Sequence, residues 1–476
     1  MHKKLLALST AVVMIFAMAA CGSGGAAANN AGKQTNTAGG QTSAAASQGN
    51  SGAATADSKM IGSGAVKFDP NKQVNNGKPI ELEYWYWAAE DMFQKLIDDY
   101  QKYRPNVKIK LVNQPWSDMW TKLPLALNSD TGPALFNVHN SQHAILINYL
   151  EPIGVPVDDI AADFINVKPH IIDGNLYYID YGLMTSAIFY NKDHWSEAGL
   201  TDSDIPKTWD QLTEVAKKLT KFQGDKMIQS GFNVNGGNVI VTALSYQQGS
   251  LMFKDDLTTA NFDKPETKTS IQMIKDLYDV AHVCDRNFGV DANQSFGNGQ
   301  SSMVYNWGWF NGSMLTDYPD IKFGIFELPT IKGDVPFAID RTNGESTPGI
   351  NKNAPADQKE VAQDFLRYLL ASDDDLLAMD LNFDIFPSKK SLADNPQVLA
   401  KPALQIIAKN ITRYIWPGPY PAPYDTALTV VMQNVLYNGM PIDQAVAEGQ
   451  KQMDQDLSGS GFKSMEPEYA YYSEHK

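Results

Sequence analysis

His139 and His143 stand four residues apart in "VHNSQH", a spacing that would meet a metal ion if the segment were helical. The segment follows a strand-like run and has no cysteine or acid close by to complete a ligand set, so a polar loop at a strand end is the plainer reading. "GESTP" (Gly344–Pro348) begins like a nucleophile elbow but carries Pro348 where the second glycine belongs. No phosphate-binding or dinucleotide-binding glycine motif is present. A glycosidase needs only two carboxyl groups at the right separation, and nothing marks such a pair. These residues signal no enzyme and call for no cofactor. One stretch points to binding instead. "MVYNWGWFNGSM" (Met303–Met314) interleaves Tyr305, Trp307, Trp309 and Phe310 with glycine and the amides of Asn306 and Asn311. Broad apolar faces beside amide hydrogen bonds call for a ligand that offers flat apolar faces and polar groups in the same place.

The elements that would position these residues alternate between strand and helix. "IELEYWYW" (Ile80–Trp87), "VKIKLV" and "ALFNVH" (Ala134–His139) read as strands. "DMFQKLIDDYQKYRP" places Met92, Phe93, Leu96, Ile97 and Tyr100 on one helical face and stops at Pro105. "TWDQLTEVAKKLTKF" opens with Thr208 and Gln211 in capping-box spacing, and Leu212, Val215, Ala216, Leu219 and Phe222 make its stripe. "TSIQMIKDLYDVAH" and "QKEVAQDFLRYLLAS" are further amphipathic helices. Such alternation implies α/β architecture, and 476 residues suggest two or three domains.

The formal charge of −15 argues against nucleic acid. Only five arginines are present (Arg104, Arg286, Arg341, Arg367, Arg413), so an anionic ligand, which favours forked guanidinium clamps, is a poorer fit than a neutral one. Lys3 and Lys4, an apolar run to Ala20 and "MAAC" form a secretory signal over 1–20. It resembles a bacterial lipoprotein signal, with Cys21 as the lipidated residue and Met18 where leucine is usual. Residues 21–77, rich in Ala, Gly, Ser, Asn and Thr, read as a disordered tether. Cys284 is then alone, a small buried hydrophobe.

"DYGLMTSAIFYNKDHWSEAGL" and "PKTWDQLTEVAKKLTK", then "FGNGQSSMVYNWGWF", "STPGINKNAPADQKEVAQDFLRYLL" and "VLYNGMPIDQAVAEGQKQMDQ", resemble extracellular solute-binding proteins of family 1. These are the maltose-binding-protein-like receptors of ABC sugar importers. The resemblance runs in the family's order from about Pro79 to Leu457. It implies a two-lobed periplasmic-binding-protein-like fold of class II type, with strand crossovers near Tyr181–Ser186, Pro336 and Phe386–Ser388. Lobe one would be 78–183 with 336–386, and lobe two 184–335 with 387–476. Ligand would lie in the cleft between them, a neutral mono- or oligosaccharide captured by hinge closure. It would be delivered to transmembrane permease subunits driven by a separate ATPase.

The expected contacts are Trp309, then Trp307, with Trp87, Glu90, His139 and Asn140 at the ends of the first strands. Trp116 would lie at the rim, and Asp340, Arg341, Asn343 and Glu345 before "TPGINK". Trp416 or Tyr420 would come from "YIWPGPYPAPY". Trp195 and Trp209 read as packing residues. The protein would be a monomer, lipid-anchored at the outer face of the cytoplasmic membrane, with a periplasmic location as the other setting. A lipid-anchored surface glycoside hydrolase, or a same-fold receptor for a metal or peptide, is the alternative.

Overall fold

The chain is described by a computed structural model for residues 59–475, apart from residues 235 and 335. The signal segment and Cys21 lie outside the described residues. Alternating Leu82, Tyr84 and Tyr86 bury one face of the strand Ile80–Tyr86, which pairs in parallel with Val107–Asn113 and Leu135–Phe136. Gly349–Asn351 joins antiparallel to Leu135–Phe136, and Leu150–Glu151 closes the five-stranded sheet of lobe one. The helix Glu90–Gln101 lays Phe93, Leu96, Ile97 and Tyr100 against this sheet's core. Lobe two is built around an antiparallel sheet, with Ser186–Asn191 between Met303–Trp307 and Phe323–Phe326. Its helix Trp209–Leu219 starts at the expected capping box: the Thr208 hydroxyl accepts the Gln211 amide at 3.2 Å. That helix ends at Leu219, so Phe222 leaves the apolar stripe and is exposed on the strand Lys221–Gln223. Trp195 and Trp209 are core residues of lobe two.

Between the lobes the chain runs straight through Thr185, from Asp180–Met184 into Ser186–Asn191. Asp180–Met184 is flanked by Asn343–Ser346 and Phe386–Pro387, both antiparallel. Two expected boundaries move. Phe337, Ala338 and Ile339 still belong to the core of lobe two, so the second crossing falls at 341–346 rather than at Pro336. Leu392, Val398 and Leu404 belong to the core of lobe one, so the third falls near Ile411–Tyr414 rather than at 386–388.

The expected tether is also shortened. Val66, Phe68 and Val74 are fully buried in lobe one, making residues 60–77 a strap rather than free coil. Asp163 accepts the amides of Ala65 and Val66 at 2.7 and 2.8 Å. The Arg104 guanidinium holds the carbonyls of Asp69 and Pro70, at 2.8 and 3.1 Å, while pairing with Asp364 at 2.8 Å. Both side chains of that ion pair are 1% exposed. Removing one partner of a buried pair leaves the other charge uncompensated. Arg104→Ala is therefore expected to lower unfolding free energy by about 3–5 kcal/mol, read from the urea midpoint.

Candidate functional site

Parallel strands bring their carboxyl ends to one edge, and the segments that leave them carry the aromatic residues of lobe one. Trp87 follows the first strand, and His139 follows the third. Trp116 and Trp120 come from one face of the helix Trp116–Ala126. The four rings pack as a group, with centroids 5.2 Å apart for Trp87–Trp116, 4.9 Å for Trp116–Trp120 and 5.0 Å for Trp116–His139. Trp116 is 46% exposed and offers the open edge of this wall. Burial holds His139 at a pKa of about 4, against the pull of Asp180 and Asp425, so it is neutral at neutral pH. His143 has the same value for the same main cause and hydrogen-bonds the Tyr178 hydroxyl at 2.7 Å. Asn140 is buried, donating to Asp180 Oδ1 at 3.1 Å and to the Gly344 carbonyl at 3.0 Å. Glu90 is exposed at the start of its helix and accepts the Tyr86 hydroxyl.

Lobe two supplies a second group. The Arg341 guanidinium lies over the rings of Trp307, at 5.5 Å, and Tyr420, at 5.0 Å, with Asp425 Oδ2 3.6 Å away. The Tyr420 hydroxyl donates to the same Asp425 oxygen at 2.9 Å. Asp425 lies close enough to His139 to act on it electrostatically, which relates the second group to the first. Trp309 begins the helix Phe310–Asp317 and is 38% exposed, whereas Trp307 packs partly against the core of lobe one. The amide of Asn306 is structural: it donates to Asn293 and accepts its neighbour's N–H.

Some expected contacts are placed elsewhere. Asp340 is fully buried and accepts from Ser186, from the Tyr305 hydroxyl at 2.8 Å and from the Arg341 amide at 2.7 Å, so it anchors the core instead of lining the cleft. Trp416 stands 5.2 Å from His170 in a separate hollow beside the crossing strands. Asn343 and Glu345 lie half-buried on the second crossing strand. Sequence reasoning missed Trp120, Asp180, His170 and Asp425. Trp120 had a signal, its i,i+4 spacing from Trp116; the others had none.

Among the described residues, buried polar atoms without a hydrogen-bond partner gather here: Trp120 Nε1, Asn140 Oδ1, Asp180 Oδ2, Arg341 Nε and Asp425 Oδ1. Donors and acceptors are mixed. All five arginines are already engaged, by Asp364, Asp279, Asp425, the Gly154 carbonyl and Glu474. Loss of hydration, with Asp180 adding to it, raises the Glu345 carboxyl to about 7.

The family profile described as bacterial extracellular solute-binding protein matches residues 86–375. An arabinooligosaccharide-binding protein of Bacillus subtilis is 25% identical over 349 residues, covering 66% of this chain and 77% of that relative. A cyclic alpha-maltosyl-1,6-maltose binding protein from Arthrobacter globiformis superposes with a TM-score of 0.65 at 22% identity, covering 80% of this chain and 99% of that one. The maltose/maltodextrin-binding domain MalE from Bdellovibrio bacteriovorus, bound to maltotriose, gives 0.67 at 20% identity, with 80% and 100% covered.

A carboxyl that holds its proton more tightly folded than unfolded makes the fold lose stability as pH rises between the two pKa values. For Glu345 that window runs from 4.5 to about 7. Glu345→Gln is expected to flatten this fall, measured as the difference in urea midpoint between about pH 5 and about pH 8 in variant and wild type.

Proposed function

The chain belongs to the bacterial extracellular solute-binding proteins, and from that membership we propose that it captures a neutral oligosaccharide between its lobes. Proteins of this family are exported binding proteins that serve ABC permeases, not enzymes. The observation that carries the ligand class is the gathering of unpaired donors and acceptors beside aromatic rings. A hydroxyl both donates and accepts, so a sugar rim satisfies such a mixture, while Trp116 and Trp309 offer exposed rings to its C–H faces. An anion is disfavoured because Arg341 is already balanced by Asp425. The relatives named above bind arabinooligosaccharide and malto-type sugars, which agrees with this reading.

Mechanistically, ligand bridges the His139 and Trp116 wall of lobe one and the Trp309, Arg341 and Asp425 side of lobe two. The closed arrangement gains contacts that an open one lacks, and populations shift by that differential affinity. Lys168 Nζ, 2.7 Å from Glu468 Oε1, and the Asn311 amide on Asp384 already tie one lobe to the other. No helix among the described residues is long and apolar enough to cross a membrane. The proposed anchor is Cys21, at the end of the lipoprotein-like signal.

Calorimetric titration with neutral arabino-, galacto- and malto-oligosaccharides is expected to show binding with the sugar recovered intact. Trp309→Ala should weaken it by about 5- to 30-fold, the loss of one buried ring face at ~1–2 kcal/mol. Absence of heat across the panel, or cleaved sugar, would overturn the proposal. Cys21→Ser is expected to move the protein from the membrane fraction to the medium; retention at the membrane would remove the lipid anchor from this account.

A further inference from the structure

Trp309 is the second residue of a turn, Gly308 to Asn311, closed by the Asn311 backbone amide donating to the Gly308 carbonyl at 3.0 Å. Both ends of that turn are held from outside the core of lobe two. The Gly308 amide donates to the carbonyl of Thr185, in the first crossing, at 3.1 Å. This approach requires glycine, because a Cβ at position 308 would lie 2.9 Å from the Asp384 carbonyl oxygen. At the other end the Asn311 side-chain amide donates to Asp384 Oδ2. Asp384 belongs to lobe one: it follows the helix Asp373–Phe383, whose Leu376, Leu377 and Met379 sit in that lobe's core. Its carboxylate is 3% exposed, and its other oxygen takes the Lys401 ammonium, so the charge is balanced where it stands.

We infer that Asn311 and Asp384 are positioning residues for Trp309, holding its ring at the angle at which it meets a sugar in the cleft, an inference that rests on the capture reading above. Fixing both ends of a four-residue turn fixes the direction of the Cα–Cβ bond of its second residue. The ring needs that hold, since Trp309 is 38% exposed and joins no hydrophobic cluster among the described residues. A ring left free to turn loses rotamer freedom when ligand stacks on it, and that loss is subtracted from affinity. A ring already aimed avoids much of it. The tie also crosses between lobes. Trp309 is carried by the helix Phe310–Asp317, which packs Phe310 and Met314 into lobe two, yet it takes its aim from a carboxylate of lobe one.

The full chain labelled with 5-fluorotryptophan contains nine tryptophans, and Trp309→Phe identifies the fluorine signal of Trp309. With no sugar present, Asn311→Ala is expected to shift or broaden that signal and to leave those of Trp195 and Trp209, in the core of lobe two, in place. Exchanging the pair, Asn311→Asp with Asp384→Asn, keeps one hydrogen bond and one negative charge beside Lys401 and should return the signal. Asparagine also tolerates the left-handed backbone at position 384, where φ is 48°. For an arabino-, galacto- or malto-oligosaccharide that binds the full chain, Asn311→Ala should weaken binding about three- to tenfold, as for one hydrogen bond, and the exchange should restore it. Made in Trp309→Ala, the same substitution should change affinity less than about twofold, because its effect passes through the missing ring. An unmoved Trp309 signal, or an equal loss of affinity with and without the ring, would overturn the inference. No binding by any sugar of the panel would overturn the capture reading instead, and the fluorine signal would still decide whether the pair positions the ring.

Discussion

Asp180 is a carboxylate buried to 1% exposure at the point where the two lobes meet. A charge in that position calls for hydrogen-bond partners; those of Oδ1 and of the backbone carbonyl come from every segment that matters to the hinge, while Oδ2 has none. Asn140 reaches it from the loop of lobe one, Ser346 from the second crossing at 3.1 Å, and the Ser388 hydroxyl takes its backbone carbonyl at 2.6 Å. His170 Nε2 lies 3.2 Å from the remaining oxygen. A side chain at Gly344 would come within 1.9 Å of this carboxylate, so the second crossing must carry glycine there. The loop bearing His139 and Asn140 is thereby fixed to the crossings themselves, which sets the aim of the wall it supports.

The two faces of the cleft divide the work. Lobe one holds stacked rings with a neutral histidine; lobe two holds a guanidinium balanced by a carboxylate between two further rings. Neither face carries net charge to spare, and each offers apolar area with directed polar atoms. A ligand touching one face alone gains contact on one side only. On the proposed function, selectivity for ligand size and hydroxyl pattern resides in the joint arrangement, which the crossings govern.

Periodicity made much of the fold legible. The helices beginning at Glu90 and Trp209 buried most of the residues their stripes named, with Met92 half-buried and Phe222 exposed, and aromatic spacing in "NWGWF" drew attention to Trp309. What was not legible depends on contacts distant in sequence. Residues 60–77 have too few apolar side chains to announce a packed segment, and they are held by Arg104 and Asp163, many residues away. The segment 390–410 carries amphipathic patterns that would suit either lobe, so its core, and with it the third crossing, could not be chosen from pattern alone. Asp340 and Arg341 are adjacent in the chain yet do different things: Asp340 is satisfied inside by Ser186 and Tyr305, whereas Arg341 lies over Trp307 and Tyr420. Asp425 entered the site through its placement beside Tyr420, which no local motif encodes.

The strap clamped by Arg104 also decides which half of the molecule is the stator. The chain enters the fold on lobe one, and its first packed residues are bolted to that lobe by an ion pair with no access to water. Any pull arriving from the amino-terminal side is delivered to lobe one and absorbed there before it reaches a crossing. Among the described residues, lobe two is joined to that mount through the three crossings, a few polar ties and the packing of Trp307 against the core of lobe one.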